Sequence, residues 1–203
     1  MTLMLPPPLQ NLAGSLAREP AVNPGEWTKP AGVLGVLTVT GAQAEVLVVV
    51  RPGTLRFHAG QVAFPGGSFE ESDGNLWETA LREAQEEVGI RRQDVVRVGA
   101  LPPVHISVSG FTIRPWLAWA EHRPPLCPDP AEVESAFWVS LSELRAVRRR
   151  VYRERAGIRF LTPEFPVHGV IIWGATGRML EELLDRLSEE DQDELERGAP
   201  WNL

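Results

Sequence analysis

Apolar residues fall in short runs along the chain, and their spacing indicates the elements that they form. Continuous runs rich in Val, Ile and Leu are typical of strands that are buried on both faces. Such runs occupy residues 32–40, 45–51, 95–101, 111–120, 136–141, 158–161 and 167–173. The short break at residues 41–43 predicts that the first two strands form a hairpin.

The spacing becomes helical after residue 75. The apolar residues recur there at every fourth position, as Leu76, Ala80, Ala84 and Val88. Residues four apart lie on one face of a helix, so this spacing predicts an amphipathic helix. Asn75 and Glu78 stand three apart, as in a capping box, and Gly89 is of the type that commonly ends helices. The helix is entered from a glycine-rich loop that begins at Gly66.

At both ends of the chain and in one basic segment, the hydrophobic pattern indicates secondary structure less clearly than in the runs above. Residues 1–30 are proline-rich at both ends, which predicts an irregular lead-in with a short helix near residues 9–18. Residues 144–155 are strongly basic, and we interpret them as a solvated helix face, with contact to substrate phosphates as the alternative. A helix over residues 179–187 precedes the acidic residues 188–203, for which we predict a frayed tail. The length of 203 residues suits a single domain over residues 1–203.

The polar face of the predicted helix over residues 76–88 carries three acids. Glu83, Glu86 and Glu87 stand at i, i+3 and i+4, so their carboxylates point in the same direction and repel one another. A solvated acidic face would account for them, but clustered carboxylates also suit a hard divalent cation such as Mg²⁺ or Mn²⁺. Gly66 and Gly67 lie just before the helix, where glycine lets the backbone approach a ligand closely.

This segment resembles the Nudix box. Gly67 is followed by five residues and an acid, and the segment ends in Arg82-Glu83-x-x-Glu86-Glu87-x-Gly89-Ile90. It departs from the usual pattern in two places: the first acid is Asp73 with one extra residue before Arg82, and Ala84 replaces a bulkier aliphatic residue. The resemblance implies an α/β fold of the Nudix type, an α/β/α sandwich with a mixed β-sheet, and a single hydrolase domain.

The resemblance also implies roles for individual residues. The expected metal ligands are Glu83, Glu86, Glu87 and the carbonyl of Gly67. Arg82 is expected to orient these acids by ion pairing. Many relatives carry an acid just before the strand predicted at residues 136–141. Glu132 or Glu134 can serve here, and either one or Glu86 would accept the proton of the attacking water.

A second motif precedes the box and narrows the substrate. Residues 55–67 read Leu-Arg-x-His-x-Gly-Gln-Val-Ala-Phe-Pro-Gly-Gly, which resembles the signature of the coenzyme A pyrophosphatase branch. That branch hydrolyses coenzyme A to 4′-phosphopantetheine and adenosine 3′,5′-bisphosphate. The resemblance therefore implies coenzyme A, including its oxidised or acylated forms, as the substrate. We expect four polar residues of this region to bind it, with the first three holding the 3′-phosphate: Arg51, Arg56, His58 and Gln61.

Composition limits the other classes of function. The net charge is −7 and the sequence pI is about 5.2, which disfavours nucleic-acid binding through a basic surface. A substrate phosphate remains compatible with this charge because a bound metal ion masks acidic groups. The single cysteine, Cys127, excludes an intramolecular disulfide and is typical of a reducing compartment. With neither a signal peptide nor a membrane-length apolar run, we expect a soluble cytoplasmic protein, as a monomer or a homodimer.

Two alternative functions remain at this point. One is a Nudix enzyme for another nucleoside diphosphate derivative, such as ADP-ribose or NADH. The NADH branch carries a Ser-Gln-Pro-Trp-Pro-Phe-Pro run, and residues 91–120 contain nothing like it. The other is a noncatalytic ligand-sensing module on the same fold. Such modules often lose acids of the box, whereas this chain keeps three of them.

Overall fold

Two β-sheets and five α-helices are present in the computed structural model, which describes residues 4–16, 27–53, 60–107, 109–155 and 157–197. The strands of the main sheet are β1 (Pro30–Thr40), β2 (Gln43–Val50), β3 (Val62–Ala63), β4 (Gly66–Ser68), β5 (Val96–Ala100), β6 (Val104–Ile106), β7 (Phe111–Trp119) and β8 (Ser135–Ser140). A smaller sheet contains β9 (Arg149–Arg155), β10 (Ile158–Val167) and β11 (Val170–Trp173). The helices are α1 (Pro7–Ser15), α2 (Leu76–Val88), α3 (Leu141–Val147), α4 (Gly174–Arg186) and α5 (Glu189–Glu196).

The main sheet is mixed because its central strand pairs differently on its two sides. β1 pairs antiparallel with β2, as the predicted hairpin, and parallel with β7. Alternate residues of β1 face opposite sides of the sheet: Leu34 and Val36 lie in one apolar cluster, and Val33 and Leu37 lie in the other. A strand covered on both faces reads as a continuous apolar run, which is why the sequence predicts it so clearly.

Helices cover both faces of the main sheet. The apolar stripe of α2 packs on one face, where Ala80, Ala84 and Val88 join the cluster of Leu34 and Val36. On the other face, α4 contributes Leu180, Leu183 and Leu184, and α1 and α5 add further leucines. The expected α/β/α sandwich with a mixed β-sheet is therefore confirmed. None of the described helices is both long and apolar enough to cross a membrane.

The acidic end of the chain differs from the prediction. Instead of a frayed tail, residues 189–196 form α5, whose first turn is capped by the Ser188 hydroxyl accepting a 3.0 Å hydrogen bond from the Asp191 N–H. Leu195 is buried and Arg145 donates to the buried Gln192. Over residues 189–196 the prediction of a frayed tail is wrong, because two residues of this short helix make tertiary contacts that its acidic composition does not reveal. Residues 198–203 of the predicted tail lie outside the described residues.

The basic segment at residues 144–155 is not one helix. It contains the end of α3 and then the strand β9, so the helix prediction is wrong beyond Val147. Its side chains pair with acids of neighbouring elements: Arg148 with Asp185, and both Arg149 and Arg153 with the buried Glu164. These contacts account for the basic run without a substrate phosphate.

Candidate active site

Helix α2 begins and ends where its sequence predicts. The Asn75 side chain accepts hydrogen bonds from the N–H groups of Trp77 and Glu78, at 3.0 and 3.1 Å. Gly89 follows the helix in the left-handed conformation, with φ of 78°, which a residue with a side chain rarely adopts. Because both ends are set and the apolar stripe is buried, the acids of the last two turns have defined positions.

The glycine loop is pressed against those acids. Strand β4 pairs with β1 so that Gly67 lies opposite Gly32. A Cβ atom on Gly67 would lie 2.4 Å from the carboxylate of Glu83, and one on Gly66 would lie 2.4 Å from the carbonyl oxygen of Gly32. Only glycine allows this close approach of backbone to backbone and of backbone to carboxylate.

Glu87 is the most deeply buried acid of the site. Its side chain is 1% exposed, accepts a 2.9 Å hydrogen bond from the Gly66 N–H, and lies 3.4 Å from Nη1 of Arg51. Burial raises the pKa of Glu87 to about 7, against the opposing effects of the Gly66 and Arg51 contacts. Burial also raises the pKa of Glu83, although the neighbouring Arg82 acts in the opposite direction. Both carboxylates would ionise more readily beside an added positive charge.

The structure brings a third acid to this pair. One carboxylate oxygen from each of Glu83, Glu87 and Glu132 lies within 4.8 Å of the others. Backbone hydrogen bonds hold the loop that carries Glu132: Cys127 N–H donates to the Val88 carbonyl and Asp129 N–H to the Glu87 carbonyl, both at 2.9 Å. The loop is thereby fastened to the end of α2, which brings Glu132 to the acids of the helix.

The other acids that the sequence singles out lie outside this group. Glu134 is exposed immediately before β8, and its N–H donates to the Val50 carbonyl at 2.9 Å. Glu86 is also exposed, and its carboxylate pairs with Nη1 of Arg82 at 2.9 Å. Sequence spacing places Glu86 beside Glu83 on the helix, but the carboxylate of Glu86 pairs with Arg82 and lies outside the group that Glu83 forms with Glu87 and Glu132.

The donor set fits a hard divalent cation. All three groups offer carboxylate oxygens, the ligand type that Mg²⁺ and Mn²⁺ prefer over softer donors. An octahedral ion with ligands at about 2.1 Å separates those ligand atoms by about 3–4 Å, so small side-chain shifts suffice to coordinate it. Two carboxylates with raised pKa values also gain stabilisation from a cation that would replace their protons.

Arg82 is the organising cation of the site. Its guanidinium group donates to Asp73 Oδ1 at 2.8 Å, to the Ser68 carbonyl at 3.1 Å, and to Glu86, and it lies 3.0 Å from Glu83 Oε1. These contacts raise the pKa of Arg82 further above its ordinary value, with the Asp73 hydrogen bond the largest cause. Arg82 therefore joins the glycine loop to two acids of the helix.

Asp73, the acid that departs from the box pattern, anchors Arg82. Its side chain is 3% exposed and accepts hydrogen bonds from Arg82, from the Thr79 hydroxyl and from the Glu70 N–H. Burial alone would raise the pKa of Asp73, but these hydrogen bonds together outweigh it and hold the pKa below its ordinary value of 3.8. The sequence shows an acid at this position but not its partner.

We expect Asp73→Asn to lower the free energy of unfolding by about 2 kcal/mol, because it removes a charge-assisted contact from a buried group. Because the pKa of folded Asp73 is lowered, its stabilisation is complete above pH 3.8 and is lost as the pH falls through the folded value. The stability difference from wild type should therefore be constant above about pH 5 and should shrink below pH 4. Urea titrations at several pH values would measure it. The exposed neighbour Glu71→Gln is the control, and an equal loss there would contradict the role of Asp73.

The four residues that the sequence predicts to bind substrate do not all lie in one described place. The Arg51 side chain contacts Glu87, so it lies beside the carboxylates. Gln61 pairs with Arg51 through the backbone, since the Gln61 carbonyl accepts a 3.0 Å hydrogen bond from the Arg51 N–H, and Gln61 also borders a separate cavity. Arg56 and His58 lie outside the described residues.

Three comparisons with known proteins place this arrangement in context. A family model described as the NUDIX domain matches residues 18–159. A protein from Pectobacterium atrosepticum described as uncharacterized Nudix hydrolase NudL is 34% identical over 178 residues, which cover 84% of this chain and 88% of the relative. A relative with the same description from Citrobacter koseri is 35% identical over 168 residues, covering 81% and 86% of the two chains.

Solved structures share the fold. The NUDIX domain of Shewanella oneidensis NrtR, in complex with ADP ribose, superposes with a TM-score of 0.50 at 17% identity and covers 78% of this chain and 88% of its own. A MutT/nudix family protein from Enterococcus faecalis gives a TM-score of 0.51 at 14% identity, covering 90% and 71%. At this level of identity the likeness concerns the fold alone.

Proposed function

Because the chain belongs to the NUDIX family of hydrolases, we propose that it is a metal-dependent pyrophosphohydrolase that cleaves coenzyme A to 4′-phosphopantetheine and adenosine 3′,5′-bisphosphate. The observation that carries the reaction type is the group of Glu83, Glu87 and Glu132 pressed against the glycine loop. The likeness of residues 55–67 to the coenzyme A pyrophosphatase signature supports the substrate.

The proposed mechanism assigns each of these residues a task. Glu83, Glu87 and Glu132 would hold Mg²⁺ or Mn²⁺, with the Gly67 carbonyl as a further ligand. The ion, when bound, supplies charge neutralisation at the pyrophosphate and makes water in the site more acidic. Arg82 keeps Glu83 in place through a 3.0 Å ion pair.

The proton of the attacking water needs an acceptor. Glu86 is our first choice, because its side chain is 56% exposed and stands one helical turn from Glu83, where water can reach it. Release from Arg82 would also let Glu86 join the metal ligands, the role that the Nudix box resemblance gives it. Glu132 and Glu134 are the alternatives, of which Glu132 is expected to be occupied as a ligand.

Product analysis tests the proposal. The purified protein is incubated with coenzyme A or ADP-ribose in the presence of Mg²⁺, Mn²⁺ or EDTA, and the products are separated by chromatography. Release of adenosine 3′,5′-bisphosphate that depends on the ion is the expected result. Turnover of ADP-ribose but not of coenzyme A would overturn the substrate and keep the reaction type. Inactivity on both with metal bound would favour a ligand-sensing module.

The neighbouring acids Glu132 and Glu134 provide a matched pair for this assay. We expect Glu132→Gln to lower kcat/KM by about thirtyfold, because it removes one charge from the group while its exposed position limits the loss. Glu134→Gln should leave the rate within about twofold of wild type, since its carboxylate lies outside the group. Steady-state kinetics at saturating Mg²⁺ would measure both. The reverse order of effects would assign the role to Glu134.

A further inference from the structure

A concave surface lies between the main sheet and the small sheet, apart from the group of Glu83, Glu87 and Glu132. It is a cavity of about 540 Å³ bounded by β6, by the hairpin of β10 and β11, and by the first turn of α4. This volume falls in the range of about 300–1,000 Å³ that is typical of small-molecule sites. Much of its wall is apolar and comes from Val104, Ile106, Phe160 and Trp173.

One end of the cavity is suited to an anion. Helix α4 is 13 residues long and starts at Gly174 with no side-chain cap from Trp173, so its first N–H groups carry the partial positive charge of the helix dipole toward the cavity. Arg178 and His105 line the same space, and no carboxylate does so among the described lining residues. Arg178 forms no ion pair with any acid in the part of the chain that the structure describes.

The side chain of Thr176 provides a second polar contact for a ligand in the cavity. Thr176 lines the cavity and is only 7% exposed, yet its hydroxyl makes no hydrogen bond with the described residues. Among the described residues, the side-chain atoms that are both buried and unpaired belong to Thr38, Ser109, Trp116 and Arg153, so the Thr176 oxygen is open to the cavity. Its hydrogen-bond partner must therefore be water or a molecule bound in the cavity. A phosphate oxygen at the start of α4 would accept from this hydroxyl, from the helix N–H groups and from Arg178.

The cavity lies next to the carboxylate group. Gln61 borders the cavity, and its backbone carbonyl accepts a 3.0 Å hydrogen bond from the N–H of Arg51. The Arg51 side chain in turn lies 3.4 Å from Glu87. One backbone pairing and the Arg51 side chain therefore separate the cavity wall from the acids, and we expect one extended substrate to reach both.

We propose that this cavity binds the 3′-phosphorylated nucleoside of the substrate, with the phosphate at the start of α4 and the base against the apolar walls. This assignment rests on the proposed function and adds the source of its specificity. It places the 3′-phosphate on Arg178 and Thr176 instead of Arg51, whose guanidinium group already contacts Glu87. The 3′-phosphate then distinguishes coenzyme A from its 3′-dephospho form.

The test compares these two substrates in wild type, Arg178→Ala, Thr176→Val and a control. Arg178→Ala is expected to lower kcat/KM for coenzyme A about tenfold by removing one charge-assisted hydrogen bond, and to leave the 3′-dephospho compound unchanged. Thr176→Val, which conserves shape, should act in the same direction with a smaller effect. Arg197→Ala removes an exposed arginine near the end of α5 and should change neither rate. Equal losses on both substrates, or none, would overturn the assignment.

A binding measurement separates this inference from the proposed function. Calorimetry without metal would compare adenosine 3′,5′-bisphosphate with AMP as probes. Tighter binding of the bisphosphate by wild type, reduced about tenfold in Arg178→Ala, would support the site even if coenzyme A is not hydrolysed. Equal affinity of wild type for the two probes, or no binding of the bisphosphate, would contradict the site whatever the hydrolysis assay shows.

Discussion

Replacing Glu87 with Gln is expected to lower kcat/KM of the metal-dependent reaction by about a thousandfold, because a ligand charge that helps to hold a divalent ion supports several kcal/mol of transition-state stabilisation. Glu87 is the acid for which this loss should be largest, since its carboxylate is buried and interactions between charges are stronger away from water. Gln keeps the shape of the side chain and can still accept the hydrogen bond from the Gly66 N–H.

In the absence of metal, Glu87→Gln should not lower the stability of the folded protein, although it lowers the rate of the metal-dependent reaction. The pKa of folded Glu87 is raised from 4.5 to about 7, so between these pH values the folded state holds a proton that the unfolded state has lost. Stability of the wild-type protein in EDTA should therefore fall as the pH rises from about 4.5 to about 7, and Glu87→Gln should lack this loss. We expect the variant to be at least as stable as wild type at pH 7.5.

Three measurements on the same samples check this prediction: kinetics at saturating Mg²⁺, calorimetric titration with Mn²⁺, and thermal unfolding in EDTA at several pH values. Glu78→Gln is the matched control on α2, since Glu78 pairs with Arg92 at the other end of the helix. Two results would contradict a ligand role for Glu87. One is a loss of activity in Glu78→Gln as large as that in Glu87→Gln, and the other is wild-type affinity of Glu87→Gln for Mn²⁺.

Gly67→Ala is expected to reduce kcat/KM by at least about a hundredfold while the protein still folds. The added Cβ atom would lie 2.4 Å from the carboxylate of Glu83, so this flexible side chain must move away from its place in the group. Displacements of about 1 Å in a catalytic arrangement can cost about a hundredfold in rate. The backbone conformation of Gly67 is one that alanine can adopt, because its φ is not positive.

Substitution of the adjacent Gly66 is expected to affect folding as well as activity. Gly66 has φ of 150°, and a Cβ atom there would meet the backbone of β1, where no side chain can rotate away. Gly66→Ala should therefore lower stability as well as activity. Gly14→Ala, in α1 with open space around the site of the added atom, is the control for both. Circular dichroism and denaturant titration would distinguish a loss of activity alone, expected for Gly67→Ala, from a loss of stability as well, expected for Gly66→Ala. A Gly67→Ala enzyme with wild-type activity would contradict the close packing of Glu83 on the loop.

Much of the fold could be predicted from the sequence, since the signals for its elements are local. The cap at Asn75, the apolar stripe and Gly89 lie within 15 residues of one another and together specify α2 with its three acids. The continuous apolar run at residues 32–40 predicts a strand covered on both faces, as the structure has it. These patterns depend on backbone preferences and on the burial of nearby side chains, which the order of residues records directly.

The sequence could not show which residues of distant segments come into contact. Glu132 and Glu134 are equal candidates by composition, and the choice follows from backbone hydrogen bonds that fasten the loop after residue 126 to the end of α2. The pairing of Arg51 with Glu87, which the sequence does not indicate, depends in the same way on where β2 lies relative to α2.

The sequence by itself determined the family, the mixed sheet, the box helix and the set of acids from which the site is built. Only the tertiary structure decided which of those acids meet, that Asp73 holds Arg82, and that a cavity with an unpaired Thr176 opens beside Gln61. The physical reason is that periodicity and capping act between residues a few positions apart. The meeting of carboxylates and the shape of a cavity depend instead on the packing of elements that are far apart in the chain.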